Sequence, residues 1–84
     1  PFGSLVELGI ISPGTDIFDQ KKKVNAKIMA DGSIKHSKVE GSIHKVAATI
    51  LGAESCNGWT YWYYNMNGSM VPIDNLRQRL ISNN

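Results

Sequence analysis

The sequence of 84 residues lacks several features that mark whole classes of protein. It contains one cysteine, so no intramolecular disulfide can form, and we expect a reducing interior. Its apolar runs are only a few residues long, which excludes a membrane-spanning helix. No signal-peptide pattern opens the chain. The first residue is Pro1 rather than Met, from which we expect a piece excised from a larger protein.

Motifs for phosphate-binding loops, metal sites and catalysis are absent as well. The glycines form neither G-x-G-x-x-G nor G-x-x-x-x-G-K-[ST]. His36 and His44 lie on different predicted elements and, with one cysteine, supply too few ligands for zinc. Cys56 would need a histidine brought close by the fold to act as a nucleophile, and an inert, half-buried thiol is the simpler interpretation. Glu40 and Glu54 are isolated acids, so we expect no catalytic residue and no metal site in this chain.

The charge is nearly balanced, but it is unevenly distributed. Nine Lys and Arg against seven Asp and Glu give a net charge of +2, which is too small to indicate nucleic-acid binding alone. The lysines all lie between positions 21 and 45, and Arg77 and Arg79 lie near the end. The lysine run 21–23 fits a solvated loop that enters a strand, the commoner outcome, and it also fits a polyanion-binding surface.

Hydrophobic periodicity and turn residues predict two β-hairpins. Apolar residues alternate over 24–30, and Asp31-Gly32 is a preferred hairpin turn before a second strand at 33–36. Asn67-Gly68 predicts another hairpin, between an aromatic strand at 59–65 and a strand at 69–73. The stretches 16–23 and 37–41 are mostly polar and are predicted to be connections.

Capping residues and helical spacing predict three short helices. Ser4 and Glu7 form a capping-box pattern before a helix that ends at Gly9. Ser42 caps a central helix that ends at Gly52, and Asp74 caps the last one. The predicted fold class is therefore α+β, a small antiparallel sheet of two hairpins with three short helices packed on it.

The predicted strand 59–65 carries aromatic residues on both faces. In a two-layer domain of this size both faces cannot be equally buried. We therefore expect one of Trp59 and Trp62 to be structural and the other to be partly exposed.

Five segments of the chain together resemble a known family. In chain order they are PFGSLVELGIISPG, ADGSI, GSIHKVAA, CNGWTYW and PIDNLR. From Pro1 to about Arg79 the sequence resembles the C-terminal domain of β-class DNA adenine-N6 methyltransferases, of the cell-cycle-regulated and Hinf-type groups that modify GANTC. It is also similar to the RAMA domain, which occurs with restriction systems and in some eukaryotic proteins that bind methylated-adenine DNA. The resemblance implies that 1–84 is a single DNA-binding C-terminal domain of a larger methyltransferase.

The resemblance also implies that cofactor binding and catalysis belong to another domain of the parent enzyme. In the family a preceding catalytic domain holds the S-adenosylmethionine pocket and the D-P-P-Y motif, and this chain contains neither motif. We expect the chain to bind DNA, recognise the site and assist strand opening and base flipping, without a cofactor of its own. Its expected partners are DNA and the catalytic domain, not a membrane, and its expected location is the bacterial cytoplasm, on the nucleoid through DNA.

Six residues are candidates for DNA contact. The resemblance assigns Ser42, Asn57, Trp59 and Arg77, whose types match the family's positions. His44 and Lys45 are added because they open the predicted central helix, where free N–H groups and the helix dipole favour phosphate. Roles without DNA contact fit as well. Ser42 fits a helix cap, Trp59 fits a core residue, and His44 and Lys45 fit ordinary surface residues.

Two other functions fit the sequence. The chain could be a dimerisation module of the parent enzyme, with the aromatic strand as an interface edge. It could also be a RAMA-type reader of methylated-adenine DNA, although the sequence shows no aromatic cage.

Overall fold

The computed structural model describes residues 1–82. In chain order the elements are α1 (Phe2–Glu7), β1 (Asp16–Phe18), β2 (Asn25–Ile28), β3 (Ile34–His36), β4 (Val39–Gly41), α2 (Ile43–Leu51), α3 (Gly58–Tyr61), β5 (Tyr63–Met66), β6 (Ser69–Pro72) and α4 (Asp74–Ser82). The strands form one antiparallel sheet in the order β4-β3-β2-β1-β5-β6. The predicted α+β class is confirmed.

Both predicted hairpins are present, and side chains close their turns. Between β2 and β3, the Asp31 carboxylate accepts hydrogen bonds from the N–H and the hydroxyl of Ser33, at 2.9 and 2.6 Å. These bonds lower the pKa of Asp31 below its usual value. Between β5 and β6, the Asn65 side chain accepts from the N–H of Gly68 at 2.8 Å. The turn residues are thus fixed by local chemistry, which is why the sequence predicts them well.

Two strands lie in stretches that were predicted to be polar connections. β1 pairs with both β2 and β5 at the centre of the sheet, and β4 pairs with β3 at one edge. Each has three residues, too few for an alternating pattern to be visible in the sequence. β1 is held by tertiary contacts instead, because Ile17 is fully buried and Asp19 accepts the N–H of Val24 at 2.8 Å across the following turn.

The first helix differs from its predicted start. α1 begins at Phe2, directly after Pro1, and no side chain caps it. The predicted capping box of Ser4 and Glu7 is wrong, because both residues lie inside the helix. Burial of Phe2 and Leu5 against the core fixes α1 more strongly than a local capping signal.

The predicted aromatic strand is also wrong in its first half. Residues Gly58–Tyr61 form the helical turn α3, and the strand begins only at Tyr63. The described chain therefore has four helices rather than three. The resulting strand β5 lies between β1 and β6, so it is not an edge of the sheet.

The helices pack on one face of the sheet, and the core lies between the two layers. The inner face contributes the buried residues Ile17, Ala26, Ile28 and Ile34. Both tryptophans belong to this core, with Trp59 7% and Trp62 0% exposed. The expectation that one of them is partly exposed is wrong, because the switch from strand to helix at 58–61 turns both side chains inward.

Among residues 1–82, no helix has the length and apolar character that a membrane span requires.

We predict that Gly52→Ala destabilises the protein by about 1 kcal/mol, because Gly52 ends α2 in the left-handed conformation at φ 68°. Gly3→Ala is the matched control, since a Cβ at either glycine meets nothing within 4 Å and Gly3 lies inside α1 without a positive φ. Urea denaturation of both variants measures the difference. An equal loss of stability in both would contradict the conformational explanation.

Candidate nucleic-acid interface

Helix α2 begins directly after strand β4, and Ser42 lies between the two elements. Ser42 adopts an extended conformation, and its hydroxyl accepts the N–H of Lys45 at 3.0 Å. This bond satisfies one of the N–H groups that a helix start leaves free. Ile43, Val46 and Ala47 then recur on the buried side of α2, while His44 and Lys45 remain exposed. Ser42 is thus a helix cap, as one of its two interpretations required.

α3 begins beside the first turn of α2. Asn57 caps it by accepting the N–H of Trp59 at 3.0 Å. The N–H of Gly58 donates to Nδ1 of His44 at 2.9 Å, and the indole N–H of Trp62 donates to the carbonyl of Ile43 at 2.9 Å. We call these two bonds, with the packing of Gly58 on Ile43, the α2–α3 junction.

Gly58 allows this close approach. A Cβ at Gly58 would lie 2.6 Å from the carbonyl carbon and oxygen of Ile43 and 2.8 Å from its Cβ. These atoms belong to buried backbone and core, so they cannot move aside cheaply. Only glycine therefore fits at this position, which gives a physical reason for the N-G-W sequence at 57–59.

Trp59 lies under the junction and supports Arg77. Its ring packs against Phe2 in an edge-to-face arrangement, with ring centroids 6.0 Å apart and planes at 65°. The guanidinium carbon of Arg77 lies 4.6 Å from the centre of the Trp59 ring, within range of a cation–π interaction. Arg77 also pairs with the carboxylate of Asp74 one helical turn earlier, at 2.6 Å. The arginine is held in one orientation by two neighbours, and Trp59 itself presents little surface to a base.

A chain of contacts links the candidate residues of α2, α3 and α4. Ser42, His44 and Trp59 line a single shallow cavity. Asn57 is tied to this site through Gly58, and Arg77 through the Trp59 ring. We call this region the α2–α3 surface: Ser42, His44, Lys45, Asn57 and Arg77, with Trp59 beneath them.

The charges of this surface are mostly positive. Lys45 is exposed and forms no ion pair within the described part of the chain. Its carbon stem runs over Gly41, where a Cβ would lie 3.1 Å from the lysine Cδ. Arg77 is half-exposed and shares its charge with Asp74. The surface therefore offers one free cation and one that a partner carboxylate partly neutralises.

A second depression adjoins this surface, between α2 and the loop that leads to α3. Its lining includes His44, Lys45, Thr49, Glu54 and Cys56. The fold thus brings Cys56 and His44 to one depression, although their sequence spacing does not indicate it. Cys56 is half-buried and packs against the core.

Tyr61, at the other end of α3, has a shifted pKa. Partial burial raises the pKa of its phenol above 10, with smaller contributions from Asp19 and Cys56.

No group of three or more His, Cys, Asp or Glu side chains in residues 1–82 is placed to hold a metal ion.

Sequence reasoning missed three residues that shape this site. Asp74 was assigned only to capping α4, and neither Gly58 nor Phe2 was assigned a role. The spacing of Asp74 and Arg77, three apart in a predicted helix, is a signal that could have found their ion pair. The close approach of Gly58 to Ile43 depends on tertiary structure, and no local pattern reveals it.

Comparison with known proteins identifies the family. The family described as Restriction Enzyme Adenine Methylase Associated (RAMA) matches residues 1–84. The chain is 31% identical over 77 residues to the Type II methyltransferase M.HinfI of Haemophilus influenzae, which covers 92% of this chain and 21% of that protein. The chain belongs to the RAMA family. It spans about a fifth of the length of this curated relative.

We predict that Gly58→Ala destabilises the protein by at least about 2 kcal/mol, clearly more than Gly52→Ala, because the added methyl group overlaps the backbone of Ile43. Urea denaturation measures this difference, and the near-ultraviolet circular dichroism of Trp59 and Trp62 reports the junction directly. A loss no larger than that of Gly52→Ala would show that α3 moves away from α2 at little cost.

Proposed function

We propose that the chain is the DNA-binding and target-site recognition domain of a site-specific DNA adenine-N6 methyltransferase that modifies GANTC. In this proposal it assists strand opening and base flipping, and a separate catalytic domain of the parent chain binds S-adenosylmethionine and transfers the methyl group. The parent enzyme would act in the bacterial cytoplasm, on the nucleoid.

The observation that carries the proposal is the series of contacts that links candidate residues distant in the sequence. Ser42, Asn57 and Arg77 are far apart in the sequence, and contacts through the α2–α3 junction and the Trp59 ring link the elements that carry them. Membership of the RAMA family and the similarity to a Type II methyltransferase support the same function.

His44 contributes a hydrogen-bond donor in this proposal. Since its Nδ1 accepts the N–H of Gly58, that nitrogen carries no proton and the neutral ring carries its proton on Nε2. A neutral imidazole in this tautomer can donate to a phosphate oxygen or to an acceptor on a base edge. The junction therefore orients His44 as well as positioning it.

Lys45 and Arg77 supply the charge. A phosphate beside the first turn of α2 would meet Lys45 and the positive end of the helix dipole. Arg77 has a planar group that suits a phosphate or a guanine edge, and its stacking on Trp59 limits the side-chain entropy lost on binding. Trp59, buried in the free protein, acts here as the support for Arg77 rather than as a stacking platform.

We predict that Lys45→Gln and Arg77→Gln each weaken binding to a GANTC duplex, and that Arg79→Gln does not. Arg79 is exposed on α4 and lies outside the α2–α3 surface, so it controls for net charge. Fluorescence anisotropy over a range of salt concentrations is the measurement. For Lys45→Gln the slope of log K against log salt should fall by about 0.9, the value of one lost phosphate contact.

The proposal is overturned if the wild-type chain does not bind duplex DNA at low salt, or if all three variants lose affinity equally. Site recognition requires in addition that Arg77→Gln reduces the preference for GANTC over a scrambled duplex. Substituting 2-aminopurine for the target adenine reports base flipping, and its fluorescence should rise when the chain binds.

Two alternatives give different results in the same experiments. A methylated-adenine reader would bind the methylated duplex more tightly than the unmodified one. A dimerisation module would show a concentration-dependent mass in sedimentation. The sequence supports the dimerisation module only through an aromatic strand at an interface edge. The structure removes this support, because β5 lies between β1 and β6.

A further inference from the structure

The face of the sheet opposite the helices carries a second set of aromatic and basic side chains. Strand alternation places Ile17, Ala26 and Ile28 on the inner face, so their neighbours point outward. The outward set is exposed or half-exposed in the free chain. It comprises Asp16, Phe18, Asn25, Lys27, Lys35 and Tyr63.

Two aromatic residues are paired across adjacent strands at the centre of this face. Phe18 of β1 is paired directly with Tyr63 of β5, so their side chains project from adjacent strands on the same side. Both are half-buried, and neither belongs to the hydrophobic core. The ammonium of Lys22 lies 5.1 Å from the centre of the Phe18 ring. Packing in the hydrophobic core therefore does not explain why these two aromatic residues and the nearby cation lie together.

Two depressions adjoin the aromatic pair, and each contains at least one lysine. One is lined by Lys21, Tyr61 and Tyr63, together with Asp19. The other is lined by Asn25, Lys27, Lys35 and His36. From β5 to β3 the surface crosses three gaps between strands, about 14 Å in all.

Acidic groups on this face are fewer and mostly matched. Asp16 pairs with Lys27 at 3.4 Å, and Glu40 stands opposite Lys35 across the β3–β4 pair. Asp19 uses one oxygen to accept the N–H of Val24. Against these, Lys21, Lys22, Lys23 and Lys38 have no ion pair within residues 1–82. The surplus charge of this half of the chain is therefore positive, which suits a polyanion.

We propose that this outer sheet face, which we call the β platform (Phe18, Lys22, Asn25, Lys27, Lys35 and Tyr63), binds unpaired DNA. The inference rests on the proposed function, because it assumes that the nucleic acid bound at the α2–α3 surface is opened locally. Bases of the separated strand stack on Phe18 and Tyr63, and the lysines contact its phosphates. Duplex DNA does not fit this role, because its bases are stacked on each other and cannot cover a protein ring.

The two surfaces lie on opposite layers of the domain, so one chain can hold duplex and a released strand at the same time. The α2–α3 surface lies in the helical layer, and the β platform is the face of the sheet that the helices leave uncovered. Binding the released strand stabilises the opened state and therefore favours base flipping in the neighbouring duplex.

The test compares variants of the two surfaces on two probes, oligothymidine and a closed GANTC duplex. Phe18→Leu and Tyr63→Leu keep an apolar side chain but remove the ring, and each should weaken oligothymidine binding about tenfold. Lys35→Gln should also weaken oligothymidine binding, most strongly at low salt, and should reduce the slope of log K against log salt by about 0.7. All three should leave duplex affinity within about twofold of wild type, the reverse of the result expected for Lys45→Gln. Thermal unfolding of each variant checks that it remains folded.

Photochemical cross-linking distinguishes direct DNA contact by Phe18 and Tyr63 from a purely structural role of these residues. Oligodeoxyuridine carrying 5-iodouracil should cross-link to Phe18 or Tyr63, as identified by mass spectrometry of the peptides. The proposal is overturned if cross-links fall only on the α2–α3 surface, or if the ring variants bind oligothymidine as well as wild type.

The two proposals fail in different ways. Duplex binding that depends on Lys45, with oligothymidine binding that is insensitive to Phe18 and Tyr63, would retain the proposed function and remove the β platform. Oligothymidine binding that depends on the rings, without duplex binding, would retain the platform and remove the proposed function. Absence of both kinds of binding would overturn both.

Discussion

The α2–α3 junction is the contact on which the rest of the structure depends. The indole N–H of Trp62 and the N–H of Gly58 both donate to the first turn of α2, at the Ile43 carbonyl and at Nδ1 of His44. The absence of a side chain at Gly58 lets the two helix starts touch. Because the Trp62 bond is fully buried, losing its acceptor would leave an unpaired polar group in the core. The junction therefore fixes both the packing of the helical layer and the position of the candidate site.

The residues around this junction support the fold and are also candidates for DNA contact. Ser42 and Asn57 use their side chains to cap α2 and α3, so their first role is structural. Their caps order backbone and side chains that face solvent, including Lys45 and His44. The proposed binding roles therefore fall on residues with structural roles, and substitution experiments here need a check of folding. Lys45 and Arg77 are the exceptions, because neither is part of the buried core.

The sequence predicted those features that local chemistry determines. The hairpins at Asp31-Gly32 and Asn67-Gly68 and the helix between Ser42 and Gly52 depend on residues within a few positions of each other, and all three are present. The strands β1 and β4 and the helix α3 depend on distant partners, and each was missed. The resemblance to a family located the candidate residues, but the burial of Trp59 between Phe2 and Arg77 follows from packing, which no spacing reveals.

Our central proposal is that the residues linked by the junction bind DNA together. The most direct test is a titration of the isotope-labelled chain with a short GANTC duplex, followed by nuclear magnetic resonance of its N–H groups and arginine side chains. We expect the largest shifts to occur together at Ser42, His44, Lys45, Asn57 and the Arg77 guanidinium. Shifts confined to other parts of the chain, with these residues unchanged, would contradict it.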